Sequence, residues 1–244
     1  MTLNLAHGRG NRLVQRLVRR ERAEEQLGHV ADLLRHQEPH VVALQEADAK
    51  AVWSGRFNHV DFLARRAGFG QYTQMSHVDG MGLAYGTALL SQGDLREGRG
   101  RTFRPSPPTF AKGWVSAVMP WPAVPGGVVR LVSLHLDFSR ARCRRSQLRE
   151  LAADLALETR PLVIMGDFNS GPGREPAMGE LMANLALHTF EPEAPGPATH
   201  PATRRRIDWI LASAHLRFVR HEVLSTSVSD HLPVVAVLGP RTPQ

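Results

Sequence analysis

The chain has 244 residues, 42% apolar and 22% charged, the make-up expected of a soluble globular protein with enough length to bury a core, and no apolar run approaches a membrane span. Its formal charge of +7 is carried almost wholly by arginine, with lysine only at positions 50 and 112, and favours phosphate-bearing partners without naming one. A single cysteine, Cys143, excludes an internal disulfide, and "MTLNLAHGRGNRLVQR" lacks the charged-then-apolar order of a secretory signal. A cytoplasmic monomer is therefore expected, and with no linker or repeat dividing the sequence we read one domain over residues 1–244.

Apolar positions Leu13, Val14 and Leu17, then Leu27, Val30, Leu33 and Leu34, predict a helix over residues 11–37. "PHVVALQE" follows, a continuous apolar run typical of a strand buried on both faces, ending in Glu46. A second helix is expected over 58–67, stopped by Gly68. "GTALLS", "GWVSAVMPW" and "GVVRLVSLHLDF" are β-prone runs between glycine and proline turns. "RSQLRELAADLALE" places Leu148, Leu151, Ala152 and Leu155 on one helix face, and Pro161 separates it from the strand "LVIMGD". The stretch 191–201 is proline-rich and reads as a loop, after which "RIDWILA", "LRFVRHEVL" and "LPVVAVL" read as strands. This order suits two mixed β-sheets packed face to face with helices on both outer faces.

The strands end repeatedly in groups that chemistry can use. Asn4 follows "TL", Glu46 ends "VVALQ", and His135 and Asp137 sit in "VSLHLDF". Asp167 and Asn169 sit in "VIMGDFN", Asp208 opens "DWIL", and Asp230 and His231 precede "LPVVAVL". Taken singly, each has a plain structural reading: Asp167 and Asn169 can build a turn, Asp208 can pair with Arg204, Arg205 or Arg206, and His135 can be a satisfied core histidine. Carboxylates at so many buried strand ends are costly unless they are paired or bind a metal, so together they ask for one explanation.

In order, "TLNLAHG", "VVALQE", "YGTALLS", "LVSLHLDF", "VIMGDFN", "RRIDWIL" and "SDHLPV" resemble the motifs of the endonuclease/exonuclease/phosphatase superfamily, from Asn4 to about Leu238. The resemblance implies a four-layer α/β sandwich of the deoxyribonuclease-I type and a divalent-metal-dependent phosphoester hydrolase. It implies that Glu46 ligates Mg²⁺, with Mn²⁺ as the alternative ion, and that Asn4 and Asp230 stand near the same site. Asp167 would orient or deprotonate the attacking water, Asn169 would bond a phosphate oxygen, Asp208 would hold His231, and His135 would contact phosphate or help protonate the leaving oxygen. Oxygen ligands without thiolate suit such an ion, and a hard cation with histidines suits the charge that develops in phosphoryl transfer.

The sequence departs from relatives at Thr87, where many have asparagine, and at Ala6, where apurinic endonucleases carry an acid; those enzymes also lack the histidine of "SLHL". The substrate stays open between nucleic acid, phospholipid and sugar or inositol phosphate, with Lys112 a candidate phosphate contact and the arginines at 140–149 read as a solvated helix face. The alternative is a catalytically silent module of the same fold that binds phosphate or nucleic acid.

Overall fold

The computed structural model describes residues 1–11, 17–193 and 196–241. In chain order its elements are β1 (Thr2–Asn4), α1 (Arg20–Gln37), β2 (Val41–Asp48), α2 (His59–Ala67), β3 (Gln71–Gly80), β4 (Leu83–Ser91), β5 (Arg96–Thr102) and β6 (Gly113–Pro120). There follow β7 (Val128–His135), α3 (Ala141–Leu155), β8 (Leu162–Asp167), α4 (Pro176–Asn184), β9 (Leu187–Thr189), β10 (Asp208–Ser213), β11 (Leu216–Val223) and β12 (Val234–Pro240). Two six-stranded sheets result, ordered β11-β12-β1-β2-β4-β3 and β5-β6-β7-β8-β10-β9. Each is mixed, through one parallel pair, β1 with β2 and β7 with β8.

Side chains alternate across every central strand, and each set meets a different layer. Val42 and Leu44 of β2 pack with Leu27, Val30 and Leu34 of α1 and with Val60 and Leu63 of α2. Val132 and Leu134 of β7, Ile164 of β8 and Leu211 of β10 pack beneath Leu148, Leu151 and Leu155 of α3 and Leu181 of α4. The opposite set, including Val41, Ala43, Leu131, Val163, Met165 and Ile210, fills the space between the sheets. The expected four-layer α/β sandwich is thus produced by apolar runs buried on both faces, with about 1.5–3 kcal/mol stabilisation from each fully buried large aliphatic side chain.

Several boundaries differ from the sequence reading. The first helix begins at Arg20, not residue 11: the Val18 N–H donates to the Trp53 carbonyl at 2.7 Å, holding the preceding chain against the turn after β2, and Leu17 is exposed. Leu13 and Val14 lie outside the described residues. The second helix agrees with its end signals, since Asn58 Oδ1 accepts from the Val60 and Asp61 N–H groups and Gly68 takes a left-handed φ of 80°. Strands β3, β5 and β9 and helix α4 had no sequence expectation. β5, "REGRGRT", is an edge strand exposed along nearly its whole length and so carries no apolar alternation.

Candidate active site

β1, β2, β7 and β8 deliver their C-terminal ends, and β10 its N-terminal end, to one edge of the space between the sheets. Asp167 is the Cα partner of both His135 on β7 and Asp208 on β10, so the three form one row across the sheet. They share the alternation of Met165, Leu131 and Ile210 and therefore face the other sheet. On the other sheet β2 bulges: Gln45 pairs with Thr87 and Ala47 with Gly86, leaving Glu46 as the extra residue, with φ of 48°. The bulge turns Glu46 away from the helix-facing side that its even position would otherwise dictate. Just below, Gln45 Nε2 donates to Ser133 Oγ at 3.1 Å, tying the sheets together by a polar contact.

Asp167 lies at the centre of a buried network. Its Oδ2 accepts from Asn4 Nδ2 at 3.1 Å and faces His135 Nε2 at 3.4 Å and His231 Nε2 at 3.9 Å, while its Oδ1 accepts the Asn169 N–H at 2.9 Å. Burial, reinforced by the like charge of Asp208, pushes the Asp167 carboxyl up to about 7 against the pull of His231. For His231 burial alone would depress the pKa, but Asp208, with Nδ1 2.9 Å from its Oδ2, and Asp167 outweigh it and raise the imidazole to about 10. His135 behaves oppositely: burial and the neighbouring Lys112 ammonium hold it well below its ordinary value. A neutral His135 can accept from Lys112 Nζ, 3.4 Å from Nδ1, and present Nε2–H to Asp167.

Glu46 lies among basic side chains. Its Oε2 is 3.3 Å from His7 Nε2 and 3.4 Å from Arg9 Nη1, and its Oε1 is 3.9 Å from Lys112 Nζ. Burial would raise its pKa, yet His7 and Lys112, followed by His135 and Arg9, hold it far below the usual carboxylate range. His7 is itself fixed by Asp48 Oδ1 at 2.7 Å, and Asp48 accepts from Trp53 Nε1 at 3.0 Å and from the Ser54 hydroxyl. A carboxylate–imidazole–carboxylate chain, Asp48–His7–Glu46, therefore mirrors Asp208–His231–Asp167 on the other side of the cleft. His7, Arg9 and Asp48 were not singled out from the sequence; the signal was "AHGRG", a histidine and an arginine framed by glycines directly after Asn4.

Contacts of 4 Å or less connect Asp208, His231, Asp167, His135, Lys112, Glu46, Arg9 and Asp230 in an unbroken series, with Asn4 joining it at Asp167. Asn4 stands against Asp167 rather than Glu46, with its Oδ1 accepting the Ala6 N–H at 2.9 Å. Asn169 has a left-handed φ of 53° and donates Nδ2–H to the Leu136 carbonyl at 3.0 Å. Thr87 turns its hydroxyl to His77 Nε2 at 2.9 Å. Asp137 is structural: it accepts the Ser139 and Arg140 N–H groups and the Thr109 hydroxyl, and so latches the 103–112 segment, which ends at Lys112, to the start of α3. Asp208 pairs with His231, while Arg205 donates to the Asn169 carbonyl and Arg206 to the carbonyls of Phe190 and Glu191.

The donor chemistry fits a hard divalent cation. Asp167, Asp208 and His231 each offer a ligand atom, all within 4.8 Å of one another, but Asp208 and His231 already satisfy each other. Glu46 and Asp230 are a second source of oxygen donors: each pairs with one nitrogen of the Arg9 guanidinium, which supplies positive charge to both.

The fold is shared with solved structures at low sequence identity. An endonuclease/exonuclease/phosphatase from Beutenbergia cavernae is similar with a TM-score of 0.71 and 21% identity over 88% of this chain, which spans 66% of that protein. An endonuclease/exonuclease/phosphatase family protein from Leptotrichia buccalis gives 0.71 at 17% identity over 97% of both chains. The human Nocturnin catalytic domain, solved with a bound sulfate anion, gives 0.64 at 19% identity over 88% of this chain and 87% of that one. No curated protein matches the sequence. The model of the Endonuclease/Exonuclease/phosphatase family matches residues 1–231, nearly all of the motif series together with the site it builds, and the chain belongs to that family.

Proposed function

We propose that this protein is a divalent-metal-dependent phosphoester hydrolase. The observation that carries the reading is the placement of Asp167, with its pKa raised to about 7, beside a charged His231 held by Asp208. A carboxylate with a pKa near neutrality is matched to taking a proton from water, and an imidazolium beside it supplies charge to phosphoryl oxygens. His135 and Lys112 line the same cleft and bring a hydrogen-bond donor and a further cation to the phosphate. Asp208 acts through His231, fixing its Nδ1 so that Nε2 points into the cleft.

Glu46 and Asp230 would hold Mg²⁺ or Mn²⁺, while Asn4 stands at Asp167 rather than beside them; the ion would supply Lewis-acid stabilisation of charge on the phosphoryl group. Family membership supports this chemistry, and no helix among the described residues is long and apolar enough to cross a membrane. The reading as one domain, a monomer and a cytoplasmic protein is part of the same proposal.

The test is hydrolysis of bis-p-nitrophenyl phosphate, p-nitrophenyl phosphate, plasmid DNA, RNA, sphingomyelin and inositol phosphates in Mg²⁺, Mn²⁺ or EDTA. Activity should require metal and disappear in Asp167→Ala and His231→Ala. Activity in EDTA, or in both variants, would overturn the mechanism; inactivity on every substrate would favour a silent phosphate-binding module.

A further inference from the structure

Arg9 bridges Glu46 and Asp230, the two carboxylates that the proposed function assigns to the divalent cation. Its Nη2 donates to Asp230 Oδ2 at 2.7 Å and its Nη1 to Glu46 Oε2 at 3.4 Å, with side-chain exposures of 13% for Arg9, 17% for Glu46 and 7% for Asp230. A planar guanidinium is suited to span two acids in this way, whereas an ammonium is a single point charge. The chain is bent to put it there: after β1, Ala6 and His7 take left-handed φ values of 50° and 52°, and Gly8 and Gly10 take 71° and 68°. The glycines sit tightly, since a Cβ on Gly8 would lie 3.1 Å from His59 Cε1 and one on Gly10 2.9 Å from Gln26 Cδ. Non-glycine residues held in this region of backbone space are strained and persist where the surroundings over-determine them.

We propose that Arg9 is an internal cation that a divalent metal displaces: it neutralises Glu46 and Asp230 in the metal-free protein, and metal binding releases its guanidinium into the cleft, where it meets the substrate's phosphate. This rests on Glu46 and Asp230 being the metal-holding pair. Two cations cannot share the same carboxylate oxygens at close range without mutual repulsion, so each that arrives weakens the other. The apparent metal affinity is the intrinsic affinity multiplied by the fraction of molecules in which Arg9 has left the pair. Once released, Arg9 offers a fork of donors matched to two phosphoryl oxygens, adding to His231 and Lys112.

The experiment is calorimetric titration of Mg²⁺ and Mn²⁺ into the whole protein and into Arg9→Gln, Arg9→Lys and Glu46→Gln, with melting temperatures in EDTA and kinetics on bis-p-nitrophenyl phosphate. Arg9→Gln should bind metal about ten-fold more tightly than the wild type while losing kcat/KM, and should melt lower in EDTA because two carboxylates then lose the cation they share. Arg9→Lys should bind metal with intermediate affinity, and it decides the question alone if Arg9→Gln does not fold. Unchanged or weaker metal affinity in the Arg9 variants, with binding abolished in Glu46→Gln, would overturn the displacement of Arg9 and leave the metal site standing. Metal binding in the wild type that survives Glu46→Gln would overturn both, as would no binding in the wild type or in any Arg9 variant. Binding by the Arg9 variants alone would be its strongest support.

Discussion

His231 Nδ1 lies 2.9 Å from Asp208 Oδ2, with both side chains buried, and this contact fixes which ring nitrogen faces Asp167. Asp208→Asn keeps the shape but removes the charge that holds His231 protonated. Under the proposed mechanism the turnover of bis-p-nitrophenyl phosphate should fall by ~10²–10⁴, the range for losing a positioned proton-transfer group, with KM little changed. Steady-state kinetics on the folded variant, with its fold verified by circular dichroism, would check it; a loss confined to KM would refute the assignment.

The same network fixes the sign of a pH dependence in the metal-free protein. Asp167 has an ordinary value of 3.8 and a folded value near 7, so the folded state holds the proton more tightly. Its contribution is fully present below 3.8 and is lost as pH rises through 7. His231, raised from 6.5 to about 10, stabilises fully below 6.5 and loses this contribution as pH rises through 10. Denaturant midpoints in EDTA should therefore fall from mildly acid to alkaline pH. Asp167→Asn should flatten the part below pH 7; a slope unaltered by that substitution would contradict the shift.

Asn169 combines a left-handed backbone with a side-chain bond to the Leu136 carbonyl. Asn169→Ala loses both, and about 1–3 kcal/mol of stability should go with them. Asn169→Gly removes the same bond but relieves the backbone, so it should be the more stable of the two. If the amide acts on substrate, activity should be equally low in both variants. Chemical denaturation paired with kinetics separates the two roles.

Asp137 holds the 103–112 segment through Thr109 and Ser106 and caps the chain entering α3. Hydrogen bonds from Thr109, Arg140 and Ser139 overcome the effect of burial and keep its carboxyl below the usual range. Asp137→Ala should loosen that segment and with it Lys112. Faster amide exchange over 103–112 and a several-fold rise in KM are expected; unchanged exchange would show that the latch lies elsewhere.

The sequence by itself determined the doubled apolar alternation of "VVAL", "LVSL", "LVIM" and "WILA", and with it strands buried on both faces and layers on either side. It also carried the motif series, because Glu46, His135, Asp167 and Asp208 lie at the ends of those runs, His231 directly precedes "LPVVAVL", and chain order preserves them. The tight approach at "GDFN" was legible in part: a Cβ on Gly166 would sit 2.0 Å from the Leu134 carbonyl oxygen, so only glycine passes there. Edge strands β3 and β5 were not legible, since a strand with little buried surface need not alternate.

Only the tertiary structure decided which charges meet. Arg9 and Asp230 are 221 residues apart and Asn4 and Asp167 are 163 apart, and no local pattern encodes either pairing. The bulge at Glu46 and the left-handed turn through Ala6 and His7 set the facing of the cation-rich side of the cleft, and both depend on neighbouring strands and helices already being in place. Residue type and order thus specified the chemistry available. Burial and register, through desolvation and charge proximity, specified which carboxylate has its pKa raised and which is held charged.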